Sequence, residues 1–373
     1  MRNQKLDFRQ REVGHIMDRW RASDSCSLVG VGSVGKSNLL QHLSNGAVQS
    51  YYMKDVVHGQ HLKAIIVDPS LLGPLPSNVS DSEVIRCWAG YELLMHRLFL
   101  AFYPFENFPS NDAQVFYETY QALQDGSNPL YAYMGLRYLE LALEIILKQG
   151  IQIVFMFDEF EEMLKQMPIK FFLTLRGLRD INKRKLSYLT FTRSPLVNVC
   201  QNLNISLLDI EPFTELFTDN IIYIGPYNEA DARNMIQDLF TRNNRVYEAY
   251  IQEFLLWITG GFAGLLRSCF HALDTISILD IDTVMTKNER LIQSLLSKRS
   301  VNTECKTIWA SLTDLEQRMI LEFVSPHPHI NPTDSDTQQT FALLQQKQLL
   351  RVQNNKVLVD PPIFSFYVKT LGA

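Results

Sequence analysis

The stretch SLVGVGSVGKSNLLQHL, residues 27–43, sets a cluster of glycines between two apolar segments. Three of the seventeen glycines in the chain fall within six positions here, and a lysine and a serine follow directly. This run fits the pattern G-x-x-x-x-G-K-[ST], in which a flexible loop turns its backbone N–H groups around an anion. The helix that follows such a loop adds the positive end of its dipole. The positions predicted to hold phosphate are Gly30, Gly32, Ser33, Val34, Gly35, Lys36, Ser37 and Asn38.

The residues on either side of this loop supply the context that the pattern needs. CSLVGV is a short apolar run typical of a buried strand, and KSNLLQHLSNG predicts a helix with its leucines on one side. Lys36 is predicted to reach the β- and γ-phosphates, and the Ser37 hydroxyl is predicted to bind Mg²⁺. The alternative is a glycine-rich turn that happens to precede a lysine.

A phosphate-binding loop also needs a metal-binding carboxylate, and the best candidate lies far downstream in IQIVFMFDEFEEML, residues 151–164. Its first seven residues are nearly all apolar, as expected of a strand that is covered on both faces. Asp158 and Glu159 follow where this strand ends, which is where α/β sheets place their ligands. Asp158 is predicted to hold Mg²⁺ and Glu159 to activate the attacking water. The alternative is an acidic pair that caps the next helix.

Further β-rich runs, KAIIVD at 63–68, LSYLTFT at 186–192 and NIIYIG at 220–225, alternate with helical patterns. This alternation predicts an α/β fold in which helices cover both faces of a parallel sheet. Two long segments with apolar helical spacing, beginning at Ser82 and Leu130, lie between the second and third strands and are assigned to the core.

Composition sets further bounds on the class of protein. The 373 residues allow two or three domains, and a net charge of −5 gives no general reason to bind nucleic acid or an anionic membrane. The five cysteines are far apart and form no CxxC pair, which indicates neither a disulfide framework nor a zinc site. The charged N-terminal segment lacks an apolar signal core. We expect a cytoplasmic protein without a membrane span.

Four segments resemble motifs of the AAA+ and STAND ATPases. DFRQREVGHIMDRW is similar to the F-x-x-R-E entry motif, in which Phe8 and Arg11 would lie against the adenine. LTFTRSP resembles the sensor strand, with Thr192 and Arg193 in the position that senses the γ-phosphate. TGGFAGLLRSCFHAL resembles the G-x-P lid signature, although Ala263 replaces its proline, and the sequence YIGPYNEADARNMIQDLF before it resembles the lid entry, with Tyr227 in place of leucine.

The resemblance implies an ASCE P-loop ATPase with strand order 5-1-4-3-2, a helical lid, and switching or assembly controlled by ATP and ADP. Arg267 on the lid would act as a second sensor arginine, or it is a surface residue. The stretch before the fifth strand, where ring-forming relatives carry an arginine finger, contains no arginine or lysine. Candidates elsewhere are Arg176, Arg179 and Arg193. The absence of an arginine from the expected stretch predicts slow ATP turnover by the isolated chain, because an arginine finger accelerates hydrolysis by several orders of magnitude.

The last third of the chain resembles a winged helix. SLTDLEQRMILEFV has the spacing of a capping box at Thr313 and Glu316, SDTQQTFALLQQKQLLRV predicts a helix, and LLRVQNNKVLVD predicts a hairpin. The predicted recognition helix offers glutamines and a single cation, Lys347. From residue 297 onward there are eight basic and seven acidic residues. Binding of DNA is therefore possible but is not favoured by charge.

These features predict three domains: a P-loop ATPase domain at 1–225, a helical lid at 226–296 and a winged helix at 297–373. The main hypothesis is a Mg²⁺-dependent ATPase that acts as a nucleotide-controlled switch or assembly module. Its partners would be other copies of the chain or a second protein. One alternative is a DNA-associated regulator or loader that uses the winged helix. Another is a scaffold that binds nucleotide without hydrolysing it.

Overall fold

A computed structural model describes residues 4–53, 61–73, 82–125, 127–128, 130–246, 248–274, 284, 286–325, 335–354 and 356–372. The chain divides into two compact units. The first unit comprises Met1–Leu28 and Leu40–Ile222, and the second comprises Val29–Leu39 and Tyr223–Ala373. The phosphate loop thus belongs to the same unit as the C-terminal part of the chain.

A five-stranded parallel sheet lies at the centre of the fold and is flanked by helices. Its strands are β1 (Cys26–Val29), β2 (His61–Val67), β3 (Ile151–Phe157), β4 (Leu186–Thr192) and β5 (Ile221–Tyr223). Their order across the sheet is β2-β3-β4-β1-β5, so the expected order 5-1-4-3-2 is confirmed. β3 and β4 are buried almost throughout, because both are interior strands of the sheet.

The helices of the first unit pack around this sheet. They are α1 (Gln10–Arg21), α3 (Gly46–Tyr52), α4 (Ser82–Phe102), α5 (Ser110–Gln124), α6 (Tyr131–Leu147), α7 (Phe160–Gln166), α8 (Ile169–Ile181), α9 (Leu196–Asn202) and α10 (Leu207–Thr214). α2 (Lys36–Leu43) begins in the second unit and ends in the first. The two apolar segments assigned to the core are confirmed as α4 and α6, while α5, which packs beside α6, was not predicted.

Aromatic rings fill the core below the carboxyl end of β3. Phe160, Phe172 and Phe213 form a triangle with ring centroids 5.4–5.9 Å apart. The Tyr188 hydroxyl of β4 donates a hydrogen bond of 2.7 Å to the carbonyl oxygen of Leu175. Because Phe160 is the first residue of α7, this packing fixes the chain directly after Asp158 and Glu159.

The second unit is mostly helical. Its elements are α11 (Glu229–Arg242), α12 (Ala249–Thr259), α13 (Ala263–Leu273), α14 (Glu289–Leu296), α15 (Arg299–Ala310), α16 (Asp314–Val324), α17 (Ser335–Gln346), β6 (Leu350–Gln353), β7 (Lys356–Val359) and α18 (Pro362–Leu371). The predicted capping box at the start of α16 is confirmed, and β6 and β7 pair antiparallel as the predicted hairpin. In the part of the chain that the structure describes, no helix is long and apolar enough to cross a membrane.

Lys347, the cation of the predicted recognition helix, is buried in this unit. Its Nζ lies 2.6 Å from Glu316 Oε1, and the two side chains are 0% and 1% exposed. The other carboxylate oxygen of Glu316 accepts hydrogen bonds from the backbone and the hydroxyl of Thr313. Lys347, which directly follows α17, is therefore paired with α16 inside this unit and is not exposed for contact with a DNA backbone.

Candidate nucleotide-binding site

The phosphate loop connects β1, which ends at Val29, with α2, which begins at Lys36. Gly35 has φ +91°, a conformation that side-chain-bearing residues rarely adopt. A Cβ atom at Gly35 would lie 2.8 Å from the Tyr227 hydroxyl and 3.0 Å from Ala263 Cβ. Val31 and Val34 are buried and anchor the loop. The loop thus has the tight glycine geometry that a cradle of backbone N–H groups requires.

Tyr227 contacts the phosphate loop and α2, and the sequence did not predict this contact. Its hydroxyl accepts a hydrogen bond of 2.7 Å from Asn38 Nδ2, and its backbone N–H donates to the carbonyl oxygen of Gly261. The sequence identified Tyr227 as a departure from the usual leucine of the lid entry. A leucine has no hydroxyl for Asn38, so the substitution creates a polar link between α2 and the lid entry.

The segment predicted to form the lid also contacts the loop within the second unit. The Gly264 N–H, at the start of α13, donates a hydrogen bond of 2.9 Å to the Ser33 carbonyl oxygen. Gly260 and Gly261 lie shortly before this helix with φ +54° and +82°, so they turn the chain sharply there. Arg267, the predicted lid sensor, is exposed on α13. The role of Arg267 as a sensor arginine remains a prediction.

Asp158 and Glu159 lie at the carboxyl end of β3, as expected. Asp158 Oδ1 accepts a hydrogen bond of 2.8 Å from the Glu159 N–H, which fixes the orientation of this carboxylate. Glu159 has φ +44°, an uncommon conformation for a residue with a side chain, and such strain is concentrated at functional sites. Although Glu159 precedes α7, its side chain makes no capping hydrogen bond. Glu159 therefore does not act as a capping carboxylate, which was the alternative interpretation of this acidic pair.

Arg193 connects the end of β4 with the two glutamates after β3. Its Nη2 lies 3.5 Å from Glu159 Oε2, and its backbone N–H donates a hydrogen bond of 2.6 Å to Glu161 Oε1. Burial raises the pKa of the Glu161 carboxyl, and the N–H of Arg193 opposes that rise. Thr192 is buried, and its hydroxyl donates to the Ser194 carbonyl oxygen. Of the two sensor candidates, Arg193 is the one that contacts the candidate catalytic carboxylate.

Two arginines of the N-terminal segment differ in their burial. Phe8 is buried and meets the His42 ring edge-on at 5.2 Å. Arg11 is exposed on α1, whereas Arg9 is buried with φ +48° and pairs with Glu12 at 3.1 Å. The sequence gave no signal for Arg9, because the resemblance rests on the spacing of Phe8, Arg11 and Glu12. Burial lowers the pKa of His42, whose Nε2 has no hydrogen-bond partner among the described residues.

Two candidate arginine fingers are held inside the first unit. Arg176 Nε donates a hydrogen bond of 2.8 Å to Asp180, and its Nη1 lies 3.4 Å from Glu215. Arg179 Nη1 lies 3.6 Å from the same aspartate. Arg176 is the main cause of the lowered pKa of Asp180. These two side chains are committed to a local ion-pair network, which leaves Arg193 as the more accessible candidate.

The two residues predicted to bind Mg²⁺ are of types that suit this ion. Ser37 supplies a hydroxyl oxygen and Asp158 a carboxylate, both of them hard oxygen ligands. Among the described residues, no group of three or more His, Cys, Asp or Glu side chains is placed to hold a metal by itself. Mg²⁺ commonly binds through one or two protein ligands and completes its shell with water and phosphate oxygens. The residues present agree with that pattern.

A comparison with solved structures identifies the fold. The Walker-type ATPase PABY2304 of Pyrococcus abyssi superposes with a TM-score of 0.53 at 13% identity, over 97% of this chain and 95% of that chain. The fold is that of a P-loop ATPase. Cdc6p from Pyrobaculum aerophilum follows at 10% identity over 99% and 96% of the two chains, and RuvB from Thermotoga maritima at 11% over 96% and 94%. Their TM-scores are 0.43 and 0.37.

No family model matches the sequence, and a search of curated proteins gives no match. The P-loop ATPase fold therefore stands on the sheet order, the helical layers and the superposition. It confirms the fold that the phosphate-loop and strand patterns predicted. The roles of individual residues remain predictions that the geometry described above supports.

Proposed function

We propose that the chain binds ATP with Mg²⁺ and hydrolyses it slowly, as a switch or assembly module controlled by nucleotide. The observation that carries this proposal is the phosphate loop, where Gly35 adopts φ +91° directly before Lys36 and α2. Backbone N–H groups and the Lys36 ammonium would bind the phosphates, and Ser37 and Asp158 would hold Mg²⁺. The metal supplies charge neutralisation on the transferred phosphoryl group.

Glu159 would orient and deprotonate the attacking water, and Arg193 would respond to the terminal phosphate. Support comes from the ion pair between their side chains, which are 39% and 50% exposed. A surface ion pair of this kind contributes little to stability, so it can open when either partner finds a better one. An arginine that leaves Glu159 for a phosphate would free the carboxylate for water.

The proposed organisation is an ATPase domain at 1–225, a lid at 226–296 and a winged helix at 297–373. Arg176 and Arg179, two candidate arginine fingers, form ion pairs with Asp180. Because these arginines are already paired within the chain, a slow switch agrees with the structure better than a fast motor does. Neighbouring copies or a partner protein would complete the site. The buried state of Lys347 argues against DNA recognition by α17, because it removes the cation from that helix.

The proposal is tested by ATP turnover per molecule as a function of protein concentration, with Glu159→Gln as the variant. We expect slow turnover that rises with concentration and falls by at least about a hundredfold in Glu159→Gln. Turnover that is absent at every concentration, with nucleotide still bound, would favour the scaffold alternative. Turnover that Glu159→Gln leaves unchanged would show that another group activates water.

A further inference from the structure

A cavity of about 610 Å³ opens in the first unit, at the amino-terminal edge of the parallel sheet. His61 and Ile151, which begin β2 and β3 and pair in register, both line it. Asp158 follows the opposite end of β3, about 20 Å away along the strand. The cavity is therefore separate from the carboxylates proposed for catalysis, and its volume is in the range of small-molecule sites.

Three phenylalanine rings form the apolar wall of the cavity. They are Phe102 at the end of α4, and Phe105 and Phe108 in the segment that leads to α5. The Phe108 ring meets each of the other two edge-on, with centroids 5.6 Å apart. Phe105 also packs against Phe116 of α5 at 4.9 Å, so the core holds this wall in place. Such a wall suits a ligand with an aromatic ring.

Lys63 supplies a cation to the same cavity. It is half-buried on β2, and its Nζ lies 5.8 Å from the centre of the Phe102 ring. Among the described residues, Lys63 has no ion-pair or hydrogen-bond partner. A charge that is partly removed from water is normally paired, because its desolvation is otherwise uncompensated. The ammonium is therefore available to an anion from outside the chain.

The acidic residues nearby do not neutralise this cation. Asp112 accepts hydrogen bonds of 2.8 Å from both Lys148 and Gln149, which commits its two oxygens. Gln149 lines the cavity, and this bond fixes its amide. Glu106 also lines the cavity but is exposed and forms no ion pair with Lys63. Water screens an exposed carboxylate, although it still disfavours a ligand that carries several negative charges.

We propose that this cavity binds a small aromatic monocarboxylate. The ring of the ligand packs against the three phenylalanines, and its carboxylate accepts a charge-assisted hydrogen bond from Lys63. His61 lies two residues before Lys63, so its side chain is on the same face of β2 and can donate a second hydrogen bond. This inference does not rest on the proposed function, because it uses none of the residues assigned to the nucleotide.

The test compares two probes that share a ring system but differ in charge. Calorimetry measures the Kd of 1-naphthylacetate and of the neutral 1-naphthylacetamide for the full chain at pH 7.5. We expect the carboxylate to bind about tenfold more tightly than the amide, because hydrogen bonds to charged groups are worth about that factor. Lys63→Met keeps the apolar stem beside Phe102 and removes the ammonium. It should weaken the carboxylate by about tenfold and change the amide by less than about twofold.

A second substitution tests the cavity without touching the cation. Ala101 lines the cavity from α4, and Ala101→Trp fills it with a large side chain. Both probes should then bind at least about tenfold more weakly, since the space for their shared ring is lost. Lys170→Met, an exposed lysine on α8, is the matched control and should change neither Kd. Thermal unfolding of each variant checks that the fold is intact.

Three results would overturn the inference. The wild-type chain could bind neither probe, or it could bind both equally, which would show that Lys63 receives no carboxylate. Lys63→Met could keep the preference for the carboxylate, or Lys170→Met could lose it to the same extent. Ala101→Trp could leave both Kd values unchanged, which would place the probes at another site. The ATPase proposal stands or falls separately, because its measurements use ATP and other residues.

Discussion

Replacing Lys347 by methionine tests the packing of the C-terminal helices. Methionine keeps most of the length and the apolar stem of lysine but removes the cation that faces Glu316 at 2.6 Å. Because both side chains are almost fully buried, the carboxylate would keep only its bonds from Thr313. Breaking one side of such a buried pair costs about 3–5 kcal/mol in the free energy of unfolding.

A second substitution separates the loss of the pair from the loss of packing. In the double variant Lys347→Met, Glu316→Gln, the buried charge is gone and the glutamine oxygen can still accept from Thr313. We expect it to recover roughly 2 kcal/mol or more of the loss, because an uncompensated charge is the main penalty. Lys356→Met, an exposed lysine on β7, is the control and should change stability by less than about 0.5 kcal/mol.

Urea unfolding followed by tryptophan fluorescence measures these differences, and Trp309 in α15 reports on the second unit. The chain has two compact units, so each transition is fitted separately. A cost below about 1 kcal/mol for Lys347→Met would refute the reasoning, as would a double variant that is less stable than the single one. The first result would mean that the pair contributes little to stability, and the second that the uncompensated charge of Glu316 is not the main penalty.

Three other substitutions test the site itself. Gly35→Val should abolish nucleotide binding measured by calorimetry, because a side chain at φ +91° is strained and would collide with Tyr227. Arg193→Ala should lower ATP turnover at least about tenfold while leaving the Kd of MgADP nearly unchanged, since Arg193 is proposed to respond to the terminal phosphate. His42→Gln should flatten the loss of stability that urea midpoints show between pH 7.5 and 5.5. Burial lowers the folded-state pKa of His42, so the unfolded chain takes up protons first as pH falls below about 6.5.

The fold was predictable because its signals are local. β3 is a seven-residue run in which Gln152 is the one polar residue, and this composition predicts an interior strand. The β-rich run at 186–192 likewise predicts a strand, and β4 is buried at every position. The phosphate loop is read from eight consecutive residues, and the capping box at Thr313 from four. Each of these features depends on residues that are close together in the sequence, so it can be recognised from a single sequence.

The missed parts of the site depend on contacts between distant residues. Glu304 Oε2 accepts a hydrogen bond of 2.9 Å from the Ser33 hydroxyl, 271 positions away, and nothing in the sequence around either residue indicates this bond. The Tyr227 hydroxyl is 189 positions from Asn38. Arg9 is buried with a left-handed backbone conformation, and motif spacing encodes neither property. The ion pair between Arg193 and Glu159 was not predicted either, because an arginine at a predicted sensor position does not indicate which residue it will contact.

The central claim is that this chain binds ATP through the loop that contains Lys36. The most direct measurement is calorimetric titration of the purified, nucleotide-free chain with ATP, with and without Mg²⁺, beside Lys36→Ala. We predict one ATP per chain, tighter with Mg²⁺, and binding at least about tenfold weaker in Lys36→Ala, because one charge-assisted contact is lost. Equal affinities for the wild-type chain and Lys36→Ala, or no dependence on Mg²⁺, would contradict the account.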